Sequence, residues 1–93
     1  MTTPDTVYRY APGVMLRHDK LRDAHILNAP EKLIVLDGPG HAIASRIDGA
    51  QTVAQIIVAL CELTGLPDTQ IGPDVTGFID DLAGKGLIRA VTP

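Results

Sequence analysis

The segment from Pro30 to Asp37 constrains the fold of this chain more than any other, because four consecutive apolar residues lie between turn-forming ends. Successive side chains of a β-strand point to opposite faces, so the run Leu33–Leu36 predicts a strand that is apolar on both faces. A chain of 93 residues is too short for a large sheet, so this strand is expected near a sheet edge. One layer of helices would cover one face. The remaining apolar surface and the unpaired backbone groups then predict a further partner.

Two shorter strands are predicted before this segment, at Val14–His18 and Ala24–Asn28, with the polar turn Asp19–Asp23 between them. A symmetric turn places Leu16 opposite Leu27 on one face of the hairpin. The strand Lys32–Leu36 would then be the third in an antiparallel meander.

Residues 1–13 contain two prolines and little periodicity. They are predicted to form a flexible or loosely docked arm in front of a single domain over residues 14–91. Tyr8 and Tyr10 offer anchors for this arm.

The second half of the chain has helical periodicity. Helices are predicted at His41–Ile47, at Val53–Leu63 and at Gly72–Lys85, where Pro73 suits the first helical position. A short extended segment follows at Leu87–Val91. This order predicts an α+β fold, with a winged-helix-like arrangement of a three-stranded antiparallel sheet followed by a three-helix bundle.

Such a shape is typical of DNA-binding regulators, which makes that function the main alternative. The net charge of −3 and the lack of a basic run argue against it, because a phosphate-facing surface needs clustered cations. Helix Val53–Leu63 has no Lys or Arg, and the next predicted helix sets Asp74, Asp80 and Asp81 against Lys85 alone. Nucleic acid is therefore not expected as a partner.

A small metal-dependent enzyme is a weaker alternative. The hairpin places His18 opposite His25, with Asp19 and Asp23 nearby, and imidazole and carboxylate groups together bind zinc or similar ions. Three or four converging ligands are needed, and a hairpin tip is usually solvated. We therefore expect a polar turn, with no metal or cofactor.

The single cysteine, Cys61, lies inside an apolar helical run and is predicted to be a buried, reduced thiol. No stretch reaches the roughly 20 apolar residues of a membrane span, and the first ten residues have no signal-peptide core. The expected location is the cytoplasm, with no membrane partner.

Several short segments, taken together in order and spacing, carry a family resemblance between about Val14 and Ile88. They are Arg17–Arg22, Pro30–Glu31, Leu36–Asp37, Ile47–Gly49, Val53, Ile56, Asp74–Val75, Phe78–Ile79, Leu82 and Gly86–Ile88. In this pattern the sequence resembles the pyrroloquinoline quinone (PQQ) biosynthesis protein D family, PqqD. Asp37 and the Gly/Pro-rich turn after it depart from the family, which often has Asn at this position.

The resemblance implies a non-catalytic adaptor that binds the precursor peptide PqqA. It would present PqqA to PqqE, the radical S-adenosylmethionine enzyme that crosslinks Glu and Tyr side chains of the peptide. In related peptide-recognition domains the peptide adds as a strand beside the third strand, in a cleft against the third helix. The peptide-binding residues implied here are Lys32, Leu33, Ile34, Val35, Leu36, Asp37, Val75, Ile79, Leu82 and Ala83. The protein would be a monomer or a weak homodimer, since an exposed strand edge can also pair with its own copy.

Overall fold

The computed structural model describes residues 2–91 and contains a three-stranded sheet, three helices and a separate pair of short strands. In chain order the elements are β1 (Tyr8–Tyr10), β2 (Met15–Asp19), β3 (Ala24–Ala29), β4 (Lys32–Leu36), α1 (Gly38–Ala44), α2 (Val53–Thr64), α3 (Asp68–Gly84) and β5 (Ile88–Ala90). The predicted α+β class, with an antiparallel three-stranded sheet followed by three helices, is confirmed.

The main sheet has the strand order β2-β3-β4, and both pairings are antiparallel. The predicted register is confirmed, since Leu16 is the cross-strand partner of Leu27, and His18 that of His25. Leu27 also pairs with Ile34 of β4, so these apolar side chains share the face that packs on the helices. The other face of the sheet points away from the helical layer.

The first segment departs from the prediction of a flexible arm over residues 1–13, because Tyr8–Tyr10 form β1 and pair with β5. Tyr8 is buried, and the hydroxyl of Tyr10 donates a hydrogen bond to the Ala44 carbonyl at 2.7 Å. Burial raises the pKa of Tyr10 to about 12. Both tyrosines therefore anchor the segment. Met1 lies outside the described residues.

The same segment completes the start of α2. The amides of Val53 and Ala54 donate to the carbonyls of Thr6 at 2.9 Å and of Pro4 at 3.0 Å. The first amides of a helix have no carbonyl partner within the helix, so these bonds satisfy groups that would otherwise need water. This long-range pairing explains why local periodicity did not reveal it.

Helix α1 begins earlier than predicted, at Gly38 rather than His41, and ends at Ala44 rather than Ile47. The Asp37 carboxylate accepts a hydrogen bond from the Gly40 amide at 2.7 Å and caps the helix. Proline suits this first turn, because its missing N–H would have no helical partner. The Gly/Pro-rich turn is thus the start of a helix.

Helix α2 agrees with the prediction to within one residue. Thr52 and Gln55 form a reciprocal capping box at its start, and Gly65, with φ of +75°, ends it in the left-handed conformation.

Helix α3 begins at Asp68, four residues before the predicted start, and continues through Pro73. A proline in a helix interior removes one hydrogen bond and costs about 3 kcal/mol. Ile71 and Val75 flank it one turn apart and are both buried, and full burial of such a side chain contributes about 1.5–3 kcal/mol. The free energy gained by burying the apolar face therefore offsets the cost of the interior proline. No helix between residues 2 and 91 is both long and apolar enough to cross a membrane.

Candidate functional site

Strand β4 is the terminal strand of the three-stranded sheet. One of its edges pairs with β3, and no strand among residues 2–91 pairs with the other, because β1 and β5 pair with each other elsewhere. An unpaired edge presents a row of backbone N–H and C=O groups to which another strand can add. We call this side of Lys32–Leu36 the β4 edge.

The side chains of β4 divide between two environments. Leu36 is buried on the helix side, and Ile34 on the same face is partly buried. Leu33 and Val35 point to the other face, where they remain 44% and 58% exposed. The apolar run predicted from the sequence therefore has one covered face and one uncovered face, in agreement with its expected position at a sheet edge.

The C-terminal half of α3 runs alongside β4 in the opposite direction. At the start of the strand, the Lys32 ammonium donates a hydrogen bond to the Lys85 carbonyl at 3.0 Å. At the other end, a Cβ on Gly40 would lie 3.2 Å from Phe78 Cε1 and 3.7 Å from Leu36 Cδ2. Five strand residues and the helix from Phe78 to Lys85 both span roughly 10–13 Å, so the two elements match in length.

Phe78 and Asp81 of α3, with Lys85 at the C-terminal cap of the helix, are three and four residues apart and lie on one side of the helix. Phe78 is partly buried, and the Lys85 ammonium forms an ion pair with Asp81 at 2.8 Å. We call the space between the β4 edge and this helix face the groove. In the sequence, Phe78 was named only as part of the family resemblance, and neither Asp81 nor Lys85 was among the predicted site residues. The sequence signal for these two residues was their spacing, because Asp81 and Lys85 carry opposite charges four positions apart.

The four predicted site residues of α3 are buried or half-buried. Val75 and Ile79 have no exposed surface and Leu82 is 1% exposed, so all three are core residues in this structure. Ala83 is half-buried against the same core. Their role in peptide binding stays a prediction, and their side chains pack inward. The reason is that an apolar helical stripe marks the face that packs inward.

Asp37, the last predicted residue of the strand site, lies just beyond β4. Its carboxylate is engaged as the cap of α1, which fixes the helix directly at the end of the strand. The position is thus structural as well as adjacent to the groove.

Three histidines lie close together at this end of the sheet. The rings of His25 and His41 stack with centroids 3.7 Å apart, and His18 lies 5.1 Å from His25. Desolvation, followed by the charges of His41 and His18, lowers the pKa of His25 below its usual value of 6.5. His18 Nε2 lies 3.2 Å from Asp23 Oδ1. Within the described range, no three His, Cys, Asp or Glu residues are arranged to hold a metal ion.

The charges on the helices give no cationic recognition surface. α2 has no Lys or Arg, and α3 contains four aspartates within its bounds. Cys61 is partly buried and makes no disulfide.

Comparison with known proteins identifies the family. Residues 24–88 match the family model described as Coenzyme PQQ synthesis protein D, PqqD, and this match covers more than half of the chain. The chain belongs to the PqqD family. The resemblance seen in the sequence is thereby confirmed.

Two relatives match almost their whole length. A PqqA binding protein of Gluconobacter oxydans is 35% identical over 84 residues, which cover 90% of this chain and 88% of the relative. A PqqA binding protein of Xanthomonas euvesicatoria is 39% identical over 77 residues, covering 83% of this chain and 84% of the relative. The PqqD-family match is thus not confined to a fragment of those proteins.

Solved structures share the fold. The solution structure of the PqqD truncation of Methylobacterium extorquens PqqCD, described as a functional and stand-alone recognition element for ribosomally synthesised, post-translationally modified peptides, has a TM-score of 0.81 and 31% identity. That comparison covers 96% of this chain and 95% of the other. PqqD from Xanthomonas campestris gives a TM-score of 0.61 at 34% identity, with 96% and 99% covered. TbiB1, solved in complex with the TbiA(beta) leader peptide, is 21% identical with a TM-score of 0.75, over 91% and 99%, and supports the fold alone.

Proposed function

We propose that this chain is a non-catalytic peptide-recognition element of PQQ biosynthesis, which binds the precursor peptide PqqA and presents it to the radical S-adenosylmethionine enzyme PqqE in the cytoplasm. Membership of the PqqD family and similarity to proteins called PqqA binding protein support the peptide partner. The observation that carries the proposal is the β4 edge, because it lies beside α3 with Leu33 and Val35 exposed.

In this proposal PqqA adds as a strand along Lys32–Asp37. Cross-strand partners share a face, so the PqqA residues opposite Leu33 and Val35 would lie on the outer face of the sheet. The PqqA residues between them would point into the groove, toward Phe78. Val75, Ile79 and Leu82 would support the groove from beneath, with Ala83 near its end.

The energetics are consistent with reversible binding. Ordering a flexible peptide costs about 1–2 kcal/mol per residue, and the new backbone hydrogen bonds offset only part of this cost. Two or three apolar anchors of about 1.5–3 kcal/mol each would supply most of the remainder. We therefore expect a dissociation constant in the micromolar range or somewhat tighter, which corresponds to a binding free energy of about −8 to −10 kcal/mol. Such an affinity suits an adaptor that must release its peptide.

The role is that of an adaptor, so all crosslinking chemistry would belong to PqqE. One chain would bind one peptide at its β4 edge. A homodimer formed through that edge would occupy the same backbone groups and would therefore compete with the peptide.

Two measurements test the proposal. Isothermal titration of this chain with PqqA should give one peptide bound per chain. A PqqE assay should yield crosslinked PqqA when the chain is present and little when it is omitted. Absence of binding to PqqA, or crosslinking that is equally fast without the chain, would contradict the proposal. Binding to DNA at low salt in place of PqqA would favour a regulator instead.

A further inference from the structure

Two arginines face each other directly on the two-stranded sheet. Arg9 of β1 and Arg89 of β5 are cross-strand partners, and both side chains are exposed. The residues beside them, Tyr8 and Ile88, are buried on the opposite face. Like charges placed directly opposite each other destabilise a sheet. The arginine pair, Arg9 with Arg89, therefore opposes folding through its charge.

None of the ion pairs between residues 2 and 91 includes either arginine, so no close carboxylate contact offsets this repulsion. Asp48 is next to Gly49, and a Cβ on Gly49 would lie 3.5 Å from Arg9 Cβ. The Asp48 carboxylate, however, accepts hydrogen bonds from the amides of Ala50 at 2.9 Å and Gln51 at 2.8 Å. The Asp48 carboxylate is thus engaged in its own turn.

The arginine pair adjoins one end of the groove. Arg89, Lys32 and Lys85 line a cavity of about 270 Å³ at the start of β4, together with one carboxylate, that of Glu31. Lys32 reaches across the end of the groove to the Lys85 carbonyl. In a chain of net charge −3 with eight Lys and Arg residues, three of these cations line this cavity and a fourth is the strand partner of Arg89. They are Arg9, Lys32, Lys85 and Arg89.

We infer that the arginine pair binds carboxylate side chains of PqqA residues that flank the strand-forming segment, with Lys32 and Lys85 extending this basic surface to the groove. This inference rests on the proposed function, because strand addition at β4 carries the continuing peptide past the Lys32 end of the groove. The planar guanidinium group matches the geometry of a carboxylate and binds it through paired hydrogen bonds. A peptide carboxylate between the two arginines would also relieve their repulsion.

The occupant is an acidic peptide rather than nucleic acid. Neutralising a phosphate backbone takes a larger cationic surface, whereas four cations with Glu31 and Asp81 among them suit one or two peptide carboxylates. The strand edge that borders this surface also recognises polypeptide backbone and not bases.

The test compares two double variants that remove the same charge. Arg9→Gln/Arg89→Gln alters the arginine pair, and Lys20→Gln/Arg22→Gln alters the exposed β2–β3 turn. Fluorescence anisotropy with labelled PqqA at low salt should show about 3- to 20-fold weaker binding for the first variant, the range expected for two exposed ion pairs. The second should stay within about twofold of the original chain. High salt should reduce the difference, since surface ion pairs are screened.

Two further readouts separate a binding role from a structural one. The melting temperature of Arg9→Gln/Arg89→Gln should equal or exceed that of the original chain, because the repulsion is gone. A PqqA peptide whose Asp and Glu residues are replaced by Asn and Gln should bind the Arg9→Gln/Arg89→Gln variant and the original chain with equal affinity.

If the Arg9→Gln/Arg89→Gln variant and the original chain bind native PqqA with the same affinity and salt dependence, the inference is overturned and the proposed function is left intact. The inference is also overturned if the melting temperature of Arg9→Gln/Arg89→Gln falls by several degrees. The same holds if this variant and the original chain differ as much in affinity for the neutral peptide as for native PqqA. Failure of the original chain to bind PqqA would instead remove the proposed function, and the inference with it.

Discussion

Replacing the two outward apolar side chains of β4 provides a sharp test of the groove. In the double variant Leu33→Ser/Val35→Ser the strand keeps its helix-facing residues, Ile34 and Leu36. Leu33 and Val35 are 44% and 58% exposed, so the folded chain alone buries only about half of each. A guest strand that covers them would bury most of what remains.

The size of the effect follows from those exposed fractions. Full burial of a Leu or Val side chain contributes about 1.5–3 kcal/mol, so covering the exposed half contributes about 0.7–1.7 kcal/mol at each position. The two positions together contribute about 1.4–3.4 kcal/mol. Since about 1.4 kcal/mol is a tenfold change in affinity, the double variant should bind PqqA about 10- to 300-fold more weakly. Its own unfolding free energy should fall less than for core substitutions, because the folded chain buries only about half of each side chain.

A matched control is available on α2, where Leu63 and Val58 are 66% and 56% exposed. Leu63→Ser/Val58→Ser removes the same side chains at similar exposure but on another element. Isothermal titration with PqqA and thermal unfolding by circular dichroism should be measured for both variants. The reasoning is refuted if the β4 variant binds within twofold of the original chain, or if the α2 variant loses as much affinity.

Two other predictions concern the support of the groove and its pH dependence. Ile79→Ala should lower the unfolding free energy by about 2–5 kcal/mol in urea titrations, because the side chain has no exposed surface; a loss below about 1 kcal/mol would show that Ile79 is not core. The lowered pKa of His25 means that the unfolded chain binds a proton more readily than the folded one. The contribution of His25 to stability should therefore be complete above the usual pKa of 6.5 and be lost as the pH falls through the lowered pKa. His25→Asn should reduce this pH dependence in urea unfolding midpoints measured from about pH 7.5 to about pH 5. An unchanged pH dependence of the midpoint in the variant would contradict this role of His25.

Elements specified by short-range patterns could be predicted from the sequence. Strand β4 has the predicted bounds because its apolar run ends at Asp37, which begins the next element as a helix cap. The β2–β3 register followed from the polar turn, and α2 from its apolar spacing. In each case the residues that specify the element are neighbours in sequence.

Elements that depend on distant partners were missed or misplaced. β1 has three residues and is completed by β5, which follows some eighty positions later, so no local pattern reveals it. The start of α3 was placed at Gly72 because Pro73 is a strong signal for a first helical turn, and the burial of Ile71 and Val75 overrode it. Tertiary packing decided both cases.

The exposed edge strand was predicted from the sequence, whereas the helix face along it was not. The sequence indicates that an apolar edge strand needs cover, and the structure confirms that Leu33 and Val35 are uncovered. The apolar stripe of α3 points to the most hydrophobic face, which is the core face. The face along β4 carries Phe78 and a charge pair, and such residues are recognisable as a site only once the strand is seen beside them.

Amide chemical shifts of the ¹⁵N-labelled chain, followed during titration with PqqA, test the central claim most directly. The account predicts that the largest changes occur in Lys32–Asp37 and along Val75–Lys85, with slower solvent exchange of β4 amides that point away from β3. Shifts that cluster instead at His18–His25, with β4 unchanged, would contradict strand addition at this edge.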